Sequence, residues 1–227
     1  MRLVVTVVLA VLLASPLAAA PARSAFDTGA LRTVLHEASV VVGNGCAGVL
    51  TELPDLVFTA LHCVDTRETH RVRFTTGATR TASVIAVDRA ADQALLLLDE
   101  AVPIAPLSLA RRPQIRGSIL YFEGNPSRPR FQQVRLERSG TCPSLPHLPN
   151  ALFTTIDGTP GDSGAPVVDA AGRVVGLVHG GARCHIVTPA NTLRRLIERV
   201  FEVDGPLLTD ARLRPGRFAV ATLNAAA

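Results

Sequence analysis

Three short segments carry side chains that could perform acyl transfer. Gly161-Asp162-Ser163-Gly164-Ala165-Pro166 sets a serine between glycines, with an aspartate before it. Such a segment can form a sharp turn that exposes the hydroxyl and aims backbone amides at a developing oxyanion. Thr59-Ala60-Leu61-His62-Cys63-Val64 places a histidine just after an apolar run, and Asp92-Gln93-Ala94-Leu95-Leu96 places a carboxylate at the mouth of another. In chain order His62, Asp92 and Ser163 supply a base, a group to orient it and a nucleophile. Asp88 and Asp99 flank Asp92 without its motif and read as surface residues.

Those side chains need a rigid scaffold, and the pattern around them is one of short strands. Ser39 to Val42, Val49 to Thr51, Leu56 to Thr59, Val72 to Phe74, Ser83 to Val87 and Ala94 to Leu98 form a first set. A Pro/Arg-rich connection, Val102 to Arg116, leads to a second: Ser118 to Phe122, Phe131 to Leu136, Ala151 to Ile156, Ala165 to Val168 and Val174 to Val178. Many short strands at this spacing predict an all-β barrel or sandwich. One helix is written clearly, because Leu193, Leu196, Ile197, Val200 and Phe201 share one apolar face. Thr188 is its expected N-cap, with Pro189 in the first helical position. In the tail, Phe218 to Leu223 reads as one more strand.

Composition narrows the class. The 227 residues are 48% hydrophobic and 19% charged, which excludes disorder or a coiled coil as the main structure. Aromatic residues make up 4%, which argues against stacking on bases or sugars. All 23 basic residues are Arg, interleaved with carboxylates, and the net charge is +4. Phosphate binding wants a concentrated basic face, so no nucleic-acid partner is expected. Gly43-Asn44-Gly45-Cys46-Ala47-Gly48 matches a dinucleotide-binding fingerprint but not its context: Pro54 interrupts the helix that such a motif must open. These glycines read instead as tight strand connections.

Residues 1–25 have the layout of a secretory signal peptide: Arg2, an apolar run from Leu3 to Ala14, then Ser15-Pro16 and small residues. Cleavage is expected after Ala20, Ala22 or Ala25; an uncleaved anchor is the competing reading. Export to a secreted or periplasmic location, without stable membrane association, makes Cys46, Cys63, Cys142 and Cys184 candidates for two disulfides. Zinc is the alternative, since His62-Cys63 and Cys184-His185 juxtapose ligand types, but no short C-x-x-C pair occurs and no metal is expected.

With these residues in view, the sequence resembles the trypsin/chymotrypsin-like serine proteases, in a bacterial form. The family carries T-A-A-H-C at the base, D-[IL]-A-L-L at the acid and G-D-S-G-G-P at the nucleophile. Cys46 and Gly48 resemble its C-G-G-[ST]-L segment, and the likeness extends from about Ala38 to Phe201. It implies two six-stranded antiparallel β-barrels with a C-terminal helix, and a division into 1–25, 26–108, 109–203 and a tail, 204–227. It also implies catalytic His62, Asp92 and Ser163, an oxyanion hole from the N–H groups of Gly161 and Ser163, and a Cys46–Cys63 disulfide. Cys184 matches a family cysteine on the specificity-pocket wall, but Thr159 occupies its partner's position, so a Cys142–Cys184 bridge is expected. No cofactor is implied, the partners are protein or peptide substrates, and a monomer is expected.

Two departures from the family carry consequences, and one position bears on specificity. His179, in Val178-His179-Gly180-Gly181, stands where the family has a serine that hydrogen-bonds the catalytic aspartate. It could take over as donor, tune the pocket or fill space, and the first is preferred; with Gly181 it belongs to the expected substrate-binding segment. No Ile-Val-Gly-Gly occurs to supply an inserted N-terminus, so Asp162 needs another partner, an Arg. Asp157 lies where trypsin holds the carboxylate that binds Arg or Lys, yet glutamyl endopeptidase-like members have an Asp at that offset as well. Basic preference is favoured over small, apolar or acidic. The rival to a peptidase is a non-catalytic homologue that binds proteins in the same cleft.

Overall fold

The computed structural model describes residues 28–181, 184–204 and 221–223. The expected signal peptide, and all of the tail beyond Asp204 except 221–223, lie outside them. Two closed barrels of six antiparallel strands make up the body. The first is formed by β1 (Ser39–Val42), β2 (Cys46–Leu50), β3 (Leu56–Ala60), β4 (Thr69–Phe74), β5 (Thr79–Asp88) and β6 (Gln93–Leu98). It closes because β5 pairs with β4 at one end and β6 along the rest, bending at a bulge between Val84 and Ala86. Side chains of β4 alternate strictly, with His70, Val72 and Phe74 buried and Thr69, Arg71 and Arg73 exposed.

The second barrel is the ring of β7 (Ile119–Phe122), β8 (Gln132–Gly140), β9 (Ala151–Thr154), β12 (Cys184–Pro189), β11 (Val174–Gly181) and β10 (Pro166–Val168). Strand β12 is not among the strands expected from the sequence, which places only the helix cap, Thr188, in this stretch. It consumes the expected cap, for Thr188 lies in the strand and α2 (Ala190–Asp204) begins after Pro189. The Thr188 hydroxyl accepts from Gln93 Nε2 at 2.7 Å instead, a polar tie between the barrels. Strand β13 (Ala221–Leu223) pairs in parallel with Ala86 to Asp88, on the β5 edge that β4 leaves uncovered.

A helix not foreseen from sequence, α1 (Thr28–Ala38), precedes β1. Its Leu31, Leu35 and Ala38 enter a core that also holds Phe58 and Leu95 of the first barrel, Val168 and Leu177 of the second, and Leu193, Leu196 and Val200 of α2. Between the barrels, Leu107 and Leu109 bridge to Thr51 and Val174, so the connection is fastened to both sides. Of the fingerprint-like glycines, Gly43 and Gly45 turn the β1–β2 hairpin with φ of 55° and 123°. A β-carbon on Gly48 would sit 2.8 Å from the Phe58 carbonyl oxygen, so the strands meet closely there.

Candidate active site

His62 sits in a single 3-10 turn, Leu61–Cys63, where β3 ends. Asp92 stands at the start of β6 with φ of 52°, a left-handed conformation that costs a non-glycine residue about 1–3 kcal/mol. Two features hold it there. The Leu61 N–H donates to the Asp92 carbonyl oxygen at 2.9 Å, and Asp88 Oδ1 accepts from the Ala91 N–H at 3.0 Å. Asp88 is therefore a buried turn-former and not the surface residue expected from sequence. The Cys46–Cys63 disulfide ties the residue after His62 to the first residue of β2, and the second bridge, Cys142–Cys184, is formed as well. Both disulfides match the expected pairs.

The Asp92 carboxylate takes three hydrogen bonds. The His62 backbone N–H donates to Oδ1 at 3.0 Å, and His62 Nδ1 donates to Oδ2 at 2.6 Å. His179, from β11, brings its Nδ1 to the same Oδ2 at 2.7 Å. An ionised carboxylate can only accept, so both imidazoles carry a proton on Nδ1, and in the neutral ring Nε2 is then a lone pair. Burial works to raise the Asp92 pKa, but the hydrogen bonds from His179 and His62 outweigh it and hold the carboxyl below its ordinary range. The hydrogen bond to Asp92 raises the His62 pKa, against a smaller opposing effect of burial. Donor atoms of His62, Asp92 and His179 lie within 4.8 Å of one another, a spacing a metal could use. The two N–H bonds to Oδ2 account for that closeness without one.

Ser163 belongs to two consecutive turns. Thr159-Pro160-Gly161-Asp162 is closed by Asp162 N–H to the Thr159 carbonyl at 3.0 Å, with Gly161 at φ 98°. Proline at the second position and a positive-φ glycine at the third define a type II turn. Asp162 to Ala165 forms the next turn, and Gly164 then pairs with Val178, the residue before His179. Ser163 Oγ lies by Gly180: a β-carbon built there would be 3.8 Å away. It makes no hydrogen bond to His62 among the described residues. Among the described residues the N–H groups of Gly161 and Ser163 also have no partner, while both residues' carbonyl oxygens accept from the Ala47 N–H at 3.0 Å.

Asp162 is buried and has the arginine its position demands. Arg130 donates to Oδ2 at 2.9 Å, joined there by the N–H and hydroxyl of Thr159, and the Asn125 N–H donates to Oδ1 at 2.8 Å. Asp157 departs from expectation. Its carboxylate is 90% exposed and 3.9 Å from Arg130, so it lies at the surface and does not form the closed base of a specificity pocket. The physical reason is local: the Asp157 N–H donates to Gln132 Oε1 and its carbonyl accepts from Gln132 Nε2, which fixes the backbone of the segment with the carboxylate outward. Gly181 ends β11 opposite Cys184. His179 thus joins Asp92, whereas Asp157 joins none of the site residues.

Residues 39–177 match the trypsin-like peptidase domain. Bovine "Serine protease HTRA2, mitochondrial" is 31% identical over 176 residues, which cover 70% of this chain. The chain spans 37% of the length of that relative. Among solved structures, a variant of the HtrA-type protease AlgW bound to a tripeptide superposes with a TM-score of 0.68 at 17% identity, covering 78% of this chain and 64% of that one. Deg5 gives 0.65 at 18% identity, over 76% of this chain and 92% of that one. The Rv3671c protease of M. tuberculosis in its inactive form gives 0.61 at 22% identity, over 75% and 92%.

Proposed function

Since the chain belongs to the trypsin-like peptidase family, we propose that it is an extracytoplasmic serine endopeptidase using Ser163, His62 and Asp92. The observation that carries this reading is the two-point grip of Asp92 on His62, which places a proton on Nδ1 and so, in the neutral ring, keeps Nε2 as the nitrogen that can accept one. Ser163 Oγ attacks the peptide carbonyl while Nε2 takes its proton, then returns it to the leaving amine. Asp92 stabilises the imidazolium formed on the way. The unpartnered N–H groups of Gly161 and Ser163 receive the oxyanion, and water then hydrolyses the acyl-enzyme. The absent Ser163–His62 hydrogen bond is compatible with this role, because such bonds often tighten only when substrate arrives.

A preference for Arg or Lys is not part of the proposal, because the exposed Asp157 offers no enclosed carboxylate to desolvate a cation. Export is supported by two disulfides. No helix among the described residues is long and apolar enough to cross a membrane.

A fluorophosphonate probe should label the wild type at Ser163 and leave Ser163→Ala unlabelled. A folded wild type inert to the probe and to peptide mixtures would instead be a binding homologue. The rate should also depend on pH in a defined direction. Protonated His62 cannot accept a proton, and Asp92 raises its pKa, so kcat/KM should fall on acidification with a midpoint above 6.5, the ordinary histidine value. An acid limb centred below 6.5 would contradict the assignment of His62 as base.

A further inference from the structure

Asn125 is buried at 5% exposure in the loop after β7, and every polar atom of its side chain is engaged. Its Nδ2 donates to the Gly45 carbonyl of the first barrel at 2.7 Å and to the Gly161 carbonyl at 2.8 Å. Its Oδ1 accepts from the N–H and hydroxyl of Ser127. Two carbonyls on one side and two donors on the other fix the orientation of the amide, because the reversed amide would set oxygen against oxygen. Its own N–H donates to the buried Asp162 carboxylate. One residue therefore joins the first barrel, the turn before Ser163 and the anchor of that turn.

The Gly161–Asp162 peptide lies between the two N–H groups proposed to receive the oxyanion, those of Gly161 and Ser163. Glycine tolerates several backbone conformations, so nothing intrinsic to Gly161 holds this turn in one state. Its carbonyl is gripped from two directions, by the Ala47 N–H and by Asn125 Nδ2. Rotating the peptide would break both bonds and leave one N–H of the buried Asn125 amide unpaired, which costs more than never having formed the bond.

We propose that Asn125 is a positioning residue: its carboxamide staples the Gly161 carbonyl to the first barrel and so holds the oxyanion-hole donors in their receptive orientation. This rests on the peptidase reading above. The role belongs to a loop side chain, and no N-terminus need be inserted to fulfil it.

The test uses the full chain with a peptide substrate and a fluorophosphonate. Asn125→Ala, and the equally shaped Asn125→Asp, which keeps the acceptor for Ser127 but loses both donations, should lower kcat about 10- to 100-fold. KM should stay within about twofold and the acid limb of the pH profile should not move, since neither the cleft nor His62 is altered. Both variants within about twofold of wild-type kcat would overturn the inference. So would a shifted acid limb, which would mean an effect through His62, or loss of the folded state in both variants, which would mean that Asn125 holds the fold and not the donors. A wild type inert to the probe would overturn the peptidase reading itself, so the two failures are distinguishable.

Discussion

Asp92→Asn should fold almost normally and lose about four orders of magnitude in kcat. The argument lies in what each neighbour can adapt. At Oδ1 the carboxylate accepts from a backbone N–H, which cannot reverse its polarity; at Oδ2 it accepts from two imidazoles, which can. An asparagine will therefore keep its oxygen toward the His62 backbone and turn its NH₂ toward His62 and His179. Both rings then switch to the Nε2–H tautomer and accept one amide proton each, so every hydrogen bond survives. His62 is left with a proton on the nitrogen that must receive one. A melting temperature close to wild type with kcat down about 10⁴-fold is the expected pair of results. A loss under tenfold would remove Asp92 from the mechanism.

Gly164→Ala should have the largest effect on stability of any single methyl added near the site. The new β-carbon would lie 2.2 Å from the Ala47 carbonyl oxygen, 2.6 Å from Thr59 Oγ1 and 2.9 Å from the Ala60 nitrogen, at φ of 85°. Two of those atoms are backbone of the first barrel, so relief requires separating the Ser163 turn from β2 and β3. We expect at least about 4 kcal/mol of destabilisation, which places the change among the exceptional single substitutions. For a chain of this size that is a fall of roughly 10 °C or more in melting temperature. Gly77→Ala is the control, because φ is similar at 88° but nothing lies within 4 Å of the new atom. It should cost only the conformational penalty, about 1–2 kcal/mol. Equal effects in thermal unfolding would show that contact between the barrels is not what makes Gly164 special.

The parts of this architecture that sequence made legible are those governed by neighbours along the chain. The β-rich runs around Val40, Leu56 and Ala94 announced strands through composition alone, and the apolar face from Leu193 to Phe201 announced a helix. Helix α1 follows the same rule, since Leu31, Leu35 and Ala38 repeat at helical spacing, although the sequence reading assigns it no element. Thr188 was misread because its local chemistry suits a cap, whereas its partner Gln93 lies 95 residues away. Asp88 and Asp157 were exchanged in burial for the same reason, since only the folded surroundings decide which carboxylate finds donors. His179 could be paired with Asp92 through a family position. Asn125 carried no comparable signal, because its partners Gly45 and Gly161 are distant in sequence.

The core that α1 and α2 share with both barrels bears on modularity. Leu31 and Leu35 touch the same apolar cluster as Phe58, Leu177 and Leu196, so each barrel's buried surface is completed by elements outside it. Neither barrel is an interchangeable cassette. A chimera that grafted one of them onto a relative would cut through a common interior, and to preserve the cleft it would have to carry the two helices and the Leu107–Leu109 connection with it. Recombination within this family is therefore expected to respect a boundary drawn around the whole body, with exposed turns such as the one at Gly77 as the units free to vary and the loop bearing Asn125 kept with the body.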